Sequence, residues 1–389
     1  MNLNLLEKLN DKQREAASQI DGSILILAGA GSGKTRTITY RIAHMIENVG
    51  ISPYSILAVT FTNKAAKEMR ERVEDLVGDI AKACTISTFH SFGMRLLRMY
   101  ASEVGYNPNF TIYDTDDQKR IVKAILKGQN ISFNGVKLTE RDIVSIISKI
   151  KEEIKTLDEY SVMNKQIIEV YDKYNRALLE SNAMDFSDIL LNTYKLLQKP
   201  EILEKVQNKY KYIMIDEYQD TNNLQYKIID LIARKSSNLC VVGDENQSIY
   251  GFRGANIFNI LNFETNYNNA KIIKLEENYR STTTILDAAN ELIKNNKSSK
   301  DKKLWTQNGK GDLIKVLASD NARDEVSRII EIIKRNHQNG IAYRDMTILY
   351  RTNAQSRLFE EGFLRYNIPH KVFGGVSFYS RAEIKDIIA

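Results

Sequence analysis

Cysteine, histidine and proline are all scarce in this chain of 389 residues. The two cysteines, Cys84 and Cys240, each lie in an apolar run, which favours reduced core thiols over a disulfide or a metal site. Four scattered histidines without cysteine partners argue against a zinc site. No apolar run is long enough for a membrane helix, and the N-terminus lacks the basic start and apolar stretch of a signal peptide. These absences predict a cytoplasmic protein without membrane association.

Neither charge sign dominates the composition. Fifty-five basic residues stand against 49 acidic ones, which gives a net charge of +6. That mild excess permits nucleic-acid binding without demonstrating it. The hydrophobic fraction of 43% is enough for proper cores, and the length indicates two to four structural units.

Short apolar runs alternate with helical stretches in the first part of the chain, which predicts a doubly wound parallel sheet. Between 103 and 183 the apolar spacing becomes helical, as at Ile143, Ile147 and Ile150. A new α/β unit is predicted after Arg280, with a helix near Ala322–Arg335 between two strands and a polar, basic loop or linker over Lys294–Lys303. The predicted strands are Ile24–Leu27, Ile56–Thr60, Thr85–Thr88, Tyr212–Ile215, Leu239–Val242, Lys271–Leu275, Leu313–Leu317 and Met346–Tyr350.

A glycine-rich loop follows the first predicted strand and opens a predicted helix, which is the context of a phosphate-binding P-loop. Lys34 would neutralise the β- and γ-phosphates, and Thr35 would place its hydroxyl on Mg²⁺. A chance glycine-rich turn is the alternative, and the register of strand, loop and helix disfavours it. Ala28 stands where the generic pattern has glycine. The loop comprises Ala28, Gly29, Ala30, Gly31, Ser32, Gly33, Lys34 and Thr35.

Two adjacent acidic residues, Asp216 and Glu217, directly follow the apolar strand Tyr212–Ile215. In a parallel sheet this position lies beside the phosphates. Asp216 would hold Mg²⁺, and Glu217 would orient and deprotonate the attacking water. The alternative is a pair of acidic turn residues, which the intact P-loop disfavours.

Longer motifs, in a fixed order, resemble superfamily 1 DNA helicases of the UvrD/Rep/PcrA group. The resemblance runs from Leu9 to the last residue. It implies a P-loop NTPase (RecA-like) fold for 1–102 and 184–280, a helical insertion over 103–183, and a partial second RecA-like domain over 281–389. The motifs are Leu9–Gln13, the P-loop, Thr60–Ala66, Thr88–Ser91, Met184–Phe186, Asp216–Asn222, Val242–Ala255, Glu277–Ser281 and Tyr350–Arg357.

The resemblance also implies roles around ATP. Gln13 would bond the adenine edge, Arg36 would lie beside the nucleotide and Tyr279 would stack on adenine. Gln247 would sense the γ-phosphate, and Arg280 would act as an arginine finger. With Lys34, Asp216 and Glu217, these residues are the predicted catalytic and nucleotide-binding set, and ATP and Mg²⁺ are the implied ligands.

A second set would contact DNA, as single strands and as single-strand/duplex junctions. Aromatic rings suit this role because every base has a face to stack on. Core packing stays an alternative for Phe61 and Phe186, and a structural role stays one for His90. Phe252 stands where the family commonly has tryptophan. The set is Phe61, Thr62, Asn63, Thr88, His90, Phe186, Tyr250, Phe252, Arg253, Arg351 and Asn353.

The family's last motifs do not occur in this sequence, which ends at Ile384–Ala389 in a predicted interrupted helix. We therefore expect a fragment of a longer motor that binds nucleotide, hydrolyses it poorly and does not unwind duplex. The resemblance implies an ATP-driven 3′→5′ DNA helicase of repair or replication. Two alternative functions stay open. The chain could be the helicase part of a helicase–nuclease, or a non-catalytic protein that binds single strands and nucleotide. A P-loop kinase or GTPase would have no use for the aromatic set.

Overall fold

The central sheet consists of six parallel strands, in the order Lys271–Leu275, Ile24–Ala28, Leu239–Gly243, Tyr212–Ile215, Ile56–Thr60 and Thr85–Thr88. The computed structural model describes residues 5–128, 131–133, 136–153, 165–296, 300 and 302–373. Each of the six strands matches a run predicted from the sequence. The six are β1 (Ile24–Ala28), β2 (Ile56–Thr60), β3 (Thr85–Thr88), β8 (Tyr212–Ile215), β9 (Leu239–Gly243) and β10 (Lys271–Leu275). Four short strands, β4 (Thr111–Ile112), β5 (Ser132–Phe133), β6 (Val136–Lys137) and β7 (Ala183–Met184), form two small ribbons outside this sheet.

Fifteen α-helices occur in the described part of the chain. Those that follow a sheet strand begin close to its carboxyl end. The helices are α1 (Asp11–Ser18), α2 (Lys34–Glu47), α3 (Asn63–Val77), α4 (Phe89–Met99), α5 (Thr115–Leu126), α6 (Glu140–Glu153), α7 (Lys165–Glu180), α8 (Phe186–Leu197), α9 (Pro200–Lys209), α10 (Asn223–Ala233), α11 (Phe258–Leu261), α12 (Phe263–Asn266), α13 (Thr283–Ile293), α14 (Ala322–Gln338) and α15 (Ser356–Arg365).

Two hydrophobic cores cover the two faces of the sheet. Side chains alternate between faces along a strand, so Leu25 and Leu27 enter one core and Ile24 and Ile26 the other. Every residue of β1 is buried, as an interior strand requires. The sheet is therefore a rigid platform, and the loops at its carboxyl edge are held at fixed positions.

The inserted helices α5, α6 and α7 build a separate core of their own. Ile143, Ile147 and Ile150 of α6 pack in it with Val170 and Tyr174 of α7. These are positions at which the sequence showed helical apolar spacing, and the prediction of helices there is confirmed. The domain boundaries drawn from the resemblance stay a prediction. By its internal contacts the chain divides into two compact units, 1–312 and 313–389.

The second unit contains the predicted helix, as α14, but not the two predicted strands. Leu313–Leu317 and Met346–Tyr350 form no strand, so that prediction is wrong. A strand exists only beside a partner that takes up its backbone hydrogen bonds, and no described segment pairs with either run. Val316 and Leu349 are accordingly each 91% exposed. The predicted terminal helix Ile384–Ala389 lies outside the described residues, as do parts of the Lys294–Lys303 segment.

None of the helices in the described part of the chain combines the length and the apolar character that a membrane-spanning segment needs.

Candidate functional site

The loops that carry the predicted chemistry leave the sheet at one edge. Parallel strands bring their carboxyl ends together, and that edge is where open α/β sheets bind ligands. The P-loop follows β1, Asp216 follows β8, Asp244 follows β9 and Glu276 follows β10. The strand order places β9 between β1 and β8, so the P-loop and the acidic motif lie near each other.

Two glycines of the P-loop have left-handed backbones. Gly31 has φ +70° and Gly33 has φ +84°, a region that costs other residues about 1–2 kcal/mol. A β-carbon at Gly33 would lie 2.6 Å from Gln13 Nε2, so a side chain there would force the Gln13 amide to shift. Helix α2 begins at Lys34, directly after this turn. The first amides of a helix bind anions, so the loop fits a phosphate group.

Lys34 and Glu217 form the ion pair at the centre of the site. Lys34 Nζ lies 2.9 Å from Glu217 Oε2, and the lysine side chain is only 12% exposed. Glu217 has a left-handed backbone, with φ +51°, which is uncommon for a residue other than glycine, asparagine or aspartate. Strained residues of this kind cluster at functional sites.

Asp216 is buried beneath this pair. Burial and the neighbouring Glu217 raise the pKa of its carboxyl to about 7, and Lys34 opposes the rise. Its Oδ1 accepts a hydrogen bond of 3.0 Å from the backbone N–H of Glu217. Asp220 is also buried, and burial followed by the charge of Glu217 raises the pKa of its carboxyl to about 6.

The site therefore holds more carboxylates than cations. Asp216, Glu217 and Asp220 lie close to one lysine, Lys34, and Asp220 Oδ1 is buried without a hydrogen-bond partner. A divalent cation would offset this excess of negative charge. No group of three or more protein ligands in the described residues could hold a metal alone. The residues therefore fit Mg²⁺ that arrives with phosphate oxygens, as Mg²⁺ commonly does.

The residues predicted to surround the base lie next to the P-loop. Gln13 is buried, and its Nε2 donates a hydrogen bond of 2.9 Å to Ser32 O. Tyr279 is 49% exposed, and its hydroxyl donates to Glu277 Oε2 at 2.7 Å while it accepts from Asn10 Nδ2 at 2.6 Å. Burial, followed by the hydrogen bond to Glu277, raises the pKa of Tyr279 to about 12.

Arg36 points toward the start of the chain, where its Nη2 donates a hydrogen bond of 2.8 Å to Lys8 O. Its guanidinium also lies over the ring of Tyr40, 5.1 Å from the centroid. The predicted place of Arg36 beside the nucleotide stays a prediction.

A buried asparagine that sequence reasoning did not single out connects the predicted arginine finger to the P-loop. Asn278 Nδ2 donates to Ala30 O at 2.6 Å, and its Oδ1 accepts from the backbone N–H of Arg280 at 2.9 Å. Arg280 is exposed, and it lies so near the P-loop that a β-carbon added at Gly31 would be 2.8 Å from Arg280 Cβ. The sequence feature that could have identified Asn278 as a site residue is its position inside the Glu277–Ser281 motif.

Gln247 is held by a second buried ion pair. Its Nε2 donates to Asp244 Oδ2 at 2.5 Å, and Asp244 Oδ1 lies 2.6 Å from Lys302 Nζ. Lys302 is 3% exposed and also contacts Glu245 at 3.2 Å. Its segment, Lys294–Lys303, was predicted to be a linker or a surface loop and forms no helix or strand in its described residues, but nothing in the sequence indicated that the side chain of Lys302 is buried. Only the tertiary fold brings it next to Asp244.

Three aromatic rings and an arginine form a row at the same edge of the sheet. Phe61 stacks on Tyr250 with ring centroids 5.3 Å apart, and Tyr250 lies 6.1 Å from Phe252. The Arg253 guanidinium lies 5.4 Å and 5.5 Å from the last two centroids. Phe252 is 69% exposed, so this row faces solvent at one end.

Phe186 is 53% exposed, and core packing is therefore excluded for it. Its ring meets that of His90 edge-on, with centroids 6.0 Å apart. Burial lowers the pKa of His90, while a hydrogen bond with the Phe186 backbone opposes the shift. The pair places an imidazole ring beside an exposed phenyl ring.

Some residues of the set predicted to contact DNA already have structural contacts within the chain. Thr62 caps α3 by accepting from Ala65 N at 3.1 Å. Thr88, which is 7% exposed, caps α4 and has its hydroxyl 3.5 Å from Asn63 Oδ1. Contact of these residues with DNA stays a prediction.

Arg351 and Asn353 belong to the second unit, where both are exposed. The backbone N–H of Arg351 donates to Gln355 Oε1 at 3.1 Å. Their contact with DNA also stays a prediction.

Known proteins match nearly the whole chain. The profile of the UvrD/REP helicase N-terminal domain matches residues 9–268, and that of the UvrD-like helicase C-terminal domain matches residues 273–389. The ATP-dependent DNA helicase PcrA of Staphylococcus aureus is 49% identical over 99% of this chain and 53% of the relative. The PcrA of Staphylococcus epidermidis is 48% identical over the same shares.

The chain spans about half the length of the curated relatives it matches. A solved structure, the Pif1 helicase of Candida albicans, aligns with 95% of this chain and 50% of its own, at 12% identity and a TM-score of 0.29, which is too low to support any argument. The sequence profiles cover both parts of the chain in the order that the motifs predicted. The chain belongs to the UvrD/REP helicase family.

Proposed function

We propose that this chain supplies the ATP-hydrolysing and strand-gripping part of a DNA helicase that acts in repair or replication. The observation that carries the proposal is the pairing of the P-loop lysine Lys34 with Glu217, 2.9 Å apart, at the sheet edge that also bears the exposed aromatic row. Nucleotide chemistry and a surface for bases would thus share one rigid platform. The 3′→5′ direction of movement rests on the family resemblance.

ATP is the substrate that the site fits. The P-loop amides would receive the phosphates, and Lys34 would exchange its partner Glu217 for a phosphate oxygen. That exchange would release Glu217 from the lysine, while Gln219 Nε2 still donates to Glu217 Oε2 at 2.9 Å. The carboxylate would then accept a proton from the attacking water. Arg280, whose backbone N–H donates to Asn278 Oδ1, would stabilise charge that develops on the transferred phosphoryl group.

Thr35 and Asp216 would hold Mg²⁺ together with the phosphate oxygens. When bound, the ion would neutralise charge on the transferred group. Its support in the structure is the surplus of carboxylates around Lys34. Gln247 would report the γ-phosphate, because Asp244 and Lys302 hold its amide in place.

Single-stranded DNA, up to its junction with duplex, would lie along the aromatic row and over the separate ring of Phe186. Bases would stack on Tyr250, Phe252 and Phe186, each contact worth about 1–3 kcal/mol without regard to sequence. Arg253 would add charge for the phosphates, which makes binding weaken as salt increases. A motor that moves along any sequence needs this kind of sequence-tolerant grip.

ATP hydrolysis by the purified chain, with and without an oligothymidine, tests the proposal. We expect slow turnover that DNA stimulates. Lys34→Ala should lose both nucleotide binding and turnover, because the phosphates lose their cation. Glu217→Gln should keep binding and lose turnover, because an amide accepts no proton. Lys82→Ala, an exposed lysine paired with Asp79, is the matched control and should behave as the unchanged chain.

Persistent turnover in Glu217→Gln would contradict the role of that carboxylate. Nucleotide and DNA binding with no turnover in the unchanged chain would favour the non-catalytic alternative. Direction is measured by streptavidin displacement: a 3′→5′ motor releases it from the 5′ end of an oligonucleotide faster than from the 3′ end.

A further inference from the structure

Lys151 is a buried lysine on a helix that otherwise carries its charges at the surface. It lies near the end of α6, in the helical insertion, and is 1% exposed. Its Nζ lies 2.7 Å from Asp185 Oδ2 and 2.7 Å from Asp188 Oδ1. Burial of an ammonium costs several kcal/mol unless it is paired, and paired buried charges are weak evidence for stability. We therefore expect Lys151 and its two carboxylate partners to fix the positions of neighbouring groups.

Both partners of Lys151 belong to the capping box that starts α8. Asp188 N donates to Asp185 Oδ1 at 2.7 Å, and Asp185 N donates to Asp188 Oδ2 at 3.1 Å. Each carboxylate thus uses one oxygen to begin the helix and the other to contact Lys151. A shift of Lys151 would be transmitted directly to the first turn of α8.

Two further contacts join the insertion to this turn. Tyr174 of α7 donates its hydroxyl proton to Asp185 Oδ2 at 3.0 Å. Ser187 donates to Glu152 Oε1 of α6 at 2.9 Å. The backbone around Phe186 is therefore fixed on both sides, while the Phe186 ring itself is 53% exposed.

An exposed ring on an immobilised backbone is arranged for binding. Holding a side chain in its bound position reduces the ordering cost of association, and stacking on a base needs only the face of a ring. A junction with only a structural role would not need a large exposed aromatic residue at Phe186, between the bonded residues Asp185 and Ser187. The contacts converge on the residue that the family resemblance assigns to DNA.

We infer that Lys151 is a positioning residue for Phe186, so that the helical insertion sets how tightly the first unit holds single-stranded DNA. The inference rests on the proposed function, in which Phe186 stacks on a base. Lys151 itself touches neither DNA nor nucleotide. It acts by fixing the two carboxylates that flank and orient the first turn of α8.

A double-mutant cycle in the full chain tests this inference. The variants are Lys151→Met, which keeps the length and removes the charge, Phe186→Ala, and the two combined. Binding of a fluorescein-labelled oligothymidine is measured by anisotropy, and binding of mant-ATP is measured in parallel. We expect Phe186→Ala to weaken DNA binding roughly tenfold, the effect of losing one stacked base.

Lys151→Met should weaken DNA binding several-fold in the unchanged chain and not at all in the Phe186→Ala background. Its mant-ATP affinity should stay the same. Lys149→Met, an exposed lysine on the same helix, is the matched control and should leave both affinities unchanged. The inference would be overturned if the fold-losses of DNA affinity caused by Lys151→Met and Phe186→Ala multiply in the double variant. It would also be overturned if Lys151→Met binds DNA as tightly as the unchanged chain.

If Lys151→Met loses its helical circular dichroism or its mant-ATP binding, Ser187→Ala takes its place in the cycle, because it removes only the bond to Glu152. A smaller loss that vanishes in the Phe186→Ala background supports the inference, and a loss that persists there overturns it. An unchanged chain that does not bind the oligonucleotide overturns the proposed function and the inference with it. If DNA binding needs Phe186 but is unaffected by loss of the Lys151 contacts or of the Ser187–Glu152 bond, the inference is overturned and the proposed function stands.

Discussion

Two neighbouring carboxylates, Asp216 and Glu217, have been given different surroundings by the fold. Asp216 is buried, with a carboxyl pKa raised to about 7 by burial and by Glu217. Glu217 is one-third exposed and touches Lys34. Their order in the sequence predicted both a metal ligand and a base. Their surroundings differ in the structure, since Asp216 faces the protein interior and Glu217 faces Lys34, and the two roles stay predictions.

The two cysteines should be unreactive in the folded chain. Burial raises the pKa of Cys84 to about 12 and also raises the pKa of Cys240, and the thiolate is the reactive form. Ellman's reagent should therefore label no thiol in native buffer and two in urea. Rapid labelling of the native chain would contradict the reduced-core assignment made from the sequence.

Asp188 should make stability depend on pH in an unusual direction. Burial, partly offset by Lys151, raises the pKa of Asp188 from 3.8 to about 6 in the folded chain. The folded state thus binds the proton more readily than the unfolded state between these values. The contribution of Asp188 to the unfolding free energy is therefore largest below about pH 4 and falls until about pH 6.

Urea unfolding of the unchanged chain and of Asp188→Asn checks this expectation. The stability of the variant relative to the unchanged chain should rise from about pH 4 to about pH 6 and then stay level. Asp142→Asn is the control, because the hydrogen bonds from Thr139 lower the pKa of that exposed carboxyl. Its relative stability should change little and in the opposite direction. A falling difference for Asp188→Asn would contradict the expectation.

Sequence reasoning found the residues of local motifs and missed those whose partners are far along the chain. Lys34, Thr35 and Glu217 could be named because the spacing within a P-loop and at a strand end is fixed by local geometry. Lys151 and Lys302 could not, because a lysine among other charged residues is typical of a solvated face. Their burial depends on partners 34 and 58 residues away.

Strands of the first unit were predictable as elements because they lie inside a sheet. Ile24–Leu27 and Leu239–Val242 are apolar throughout, and each found a neighbour on both sides. Leu313–Leu317 has comparable apolar content and forms no strand. The sequence of a segment gives its tendency, and the presence of a pairing partner decides the outcome.

Helix α2 and its preceding turn offer a test of backbone geometry. Gly33→Ala should weaken nucleotide binding, because a β-carbon 2.6 Å from Gln13 Nε2 would displace that amide from its hydrogen bond to Ser32 O. It should also lose about 1–2 kcal/mol of stability from its left-handed backbone. Gly22→Ala is the matched control: its φ is +87°, and nothing lies within 4 Å of its β-carbon.

Gly22→Ala should show the loss of stability and keep its nucleotide affinity. Mant-ATP titration and urea unfolding separate the two effects. Equal losses of nucleotide affinity in both variants would mean that strain in the first unit, and not collision in the loop, controls binding.

At the scale of the whole molecule, the two compact units differ in the size of their cores. Buried side chains cover both faces of the first unit's sheet. The core of the second unit, in its described residues, consists of Val326, Ile330, Ile333, Phe359, Phe363 and Ile368. Stability follows the apolar area that is buried, so the two units should not open with the same free energy.

Hydrogen exchange followed by mass spectrometry measures that difference directly. Amides of α14 and α15 should exchange much faster than those of β1, β8 and β9, because a small core and exposed backbone lower the free energy of local opening. Saturating ATPγS should slow exchange in the P-loop and at Asp216–Glu217, because binding stabilises the state that holds the nucleotide. Uniform protection across both units would show that the second unit gains stability beyond its own core and would refute the expectation.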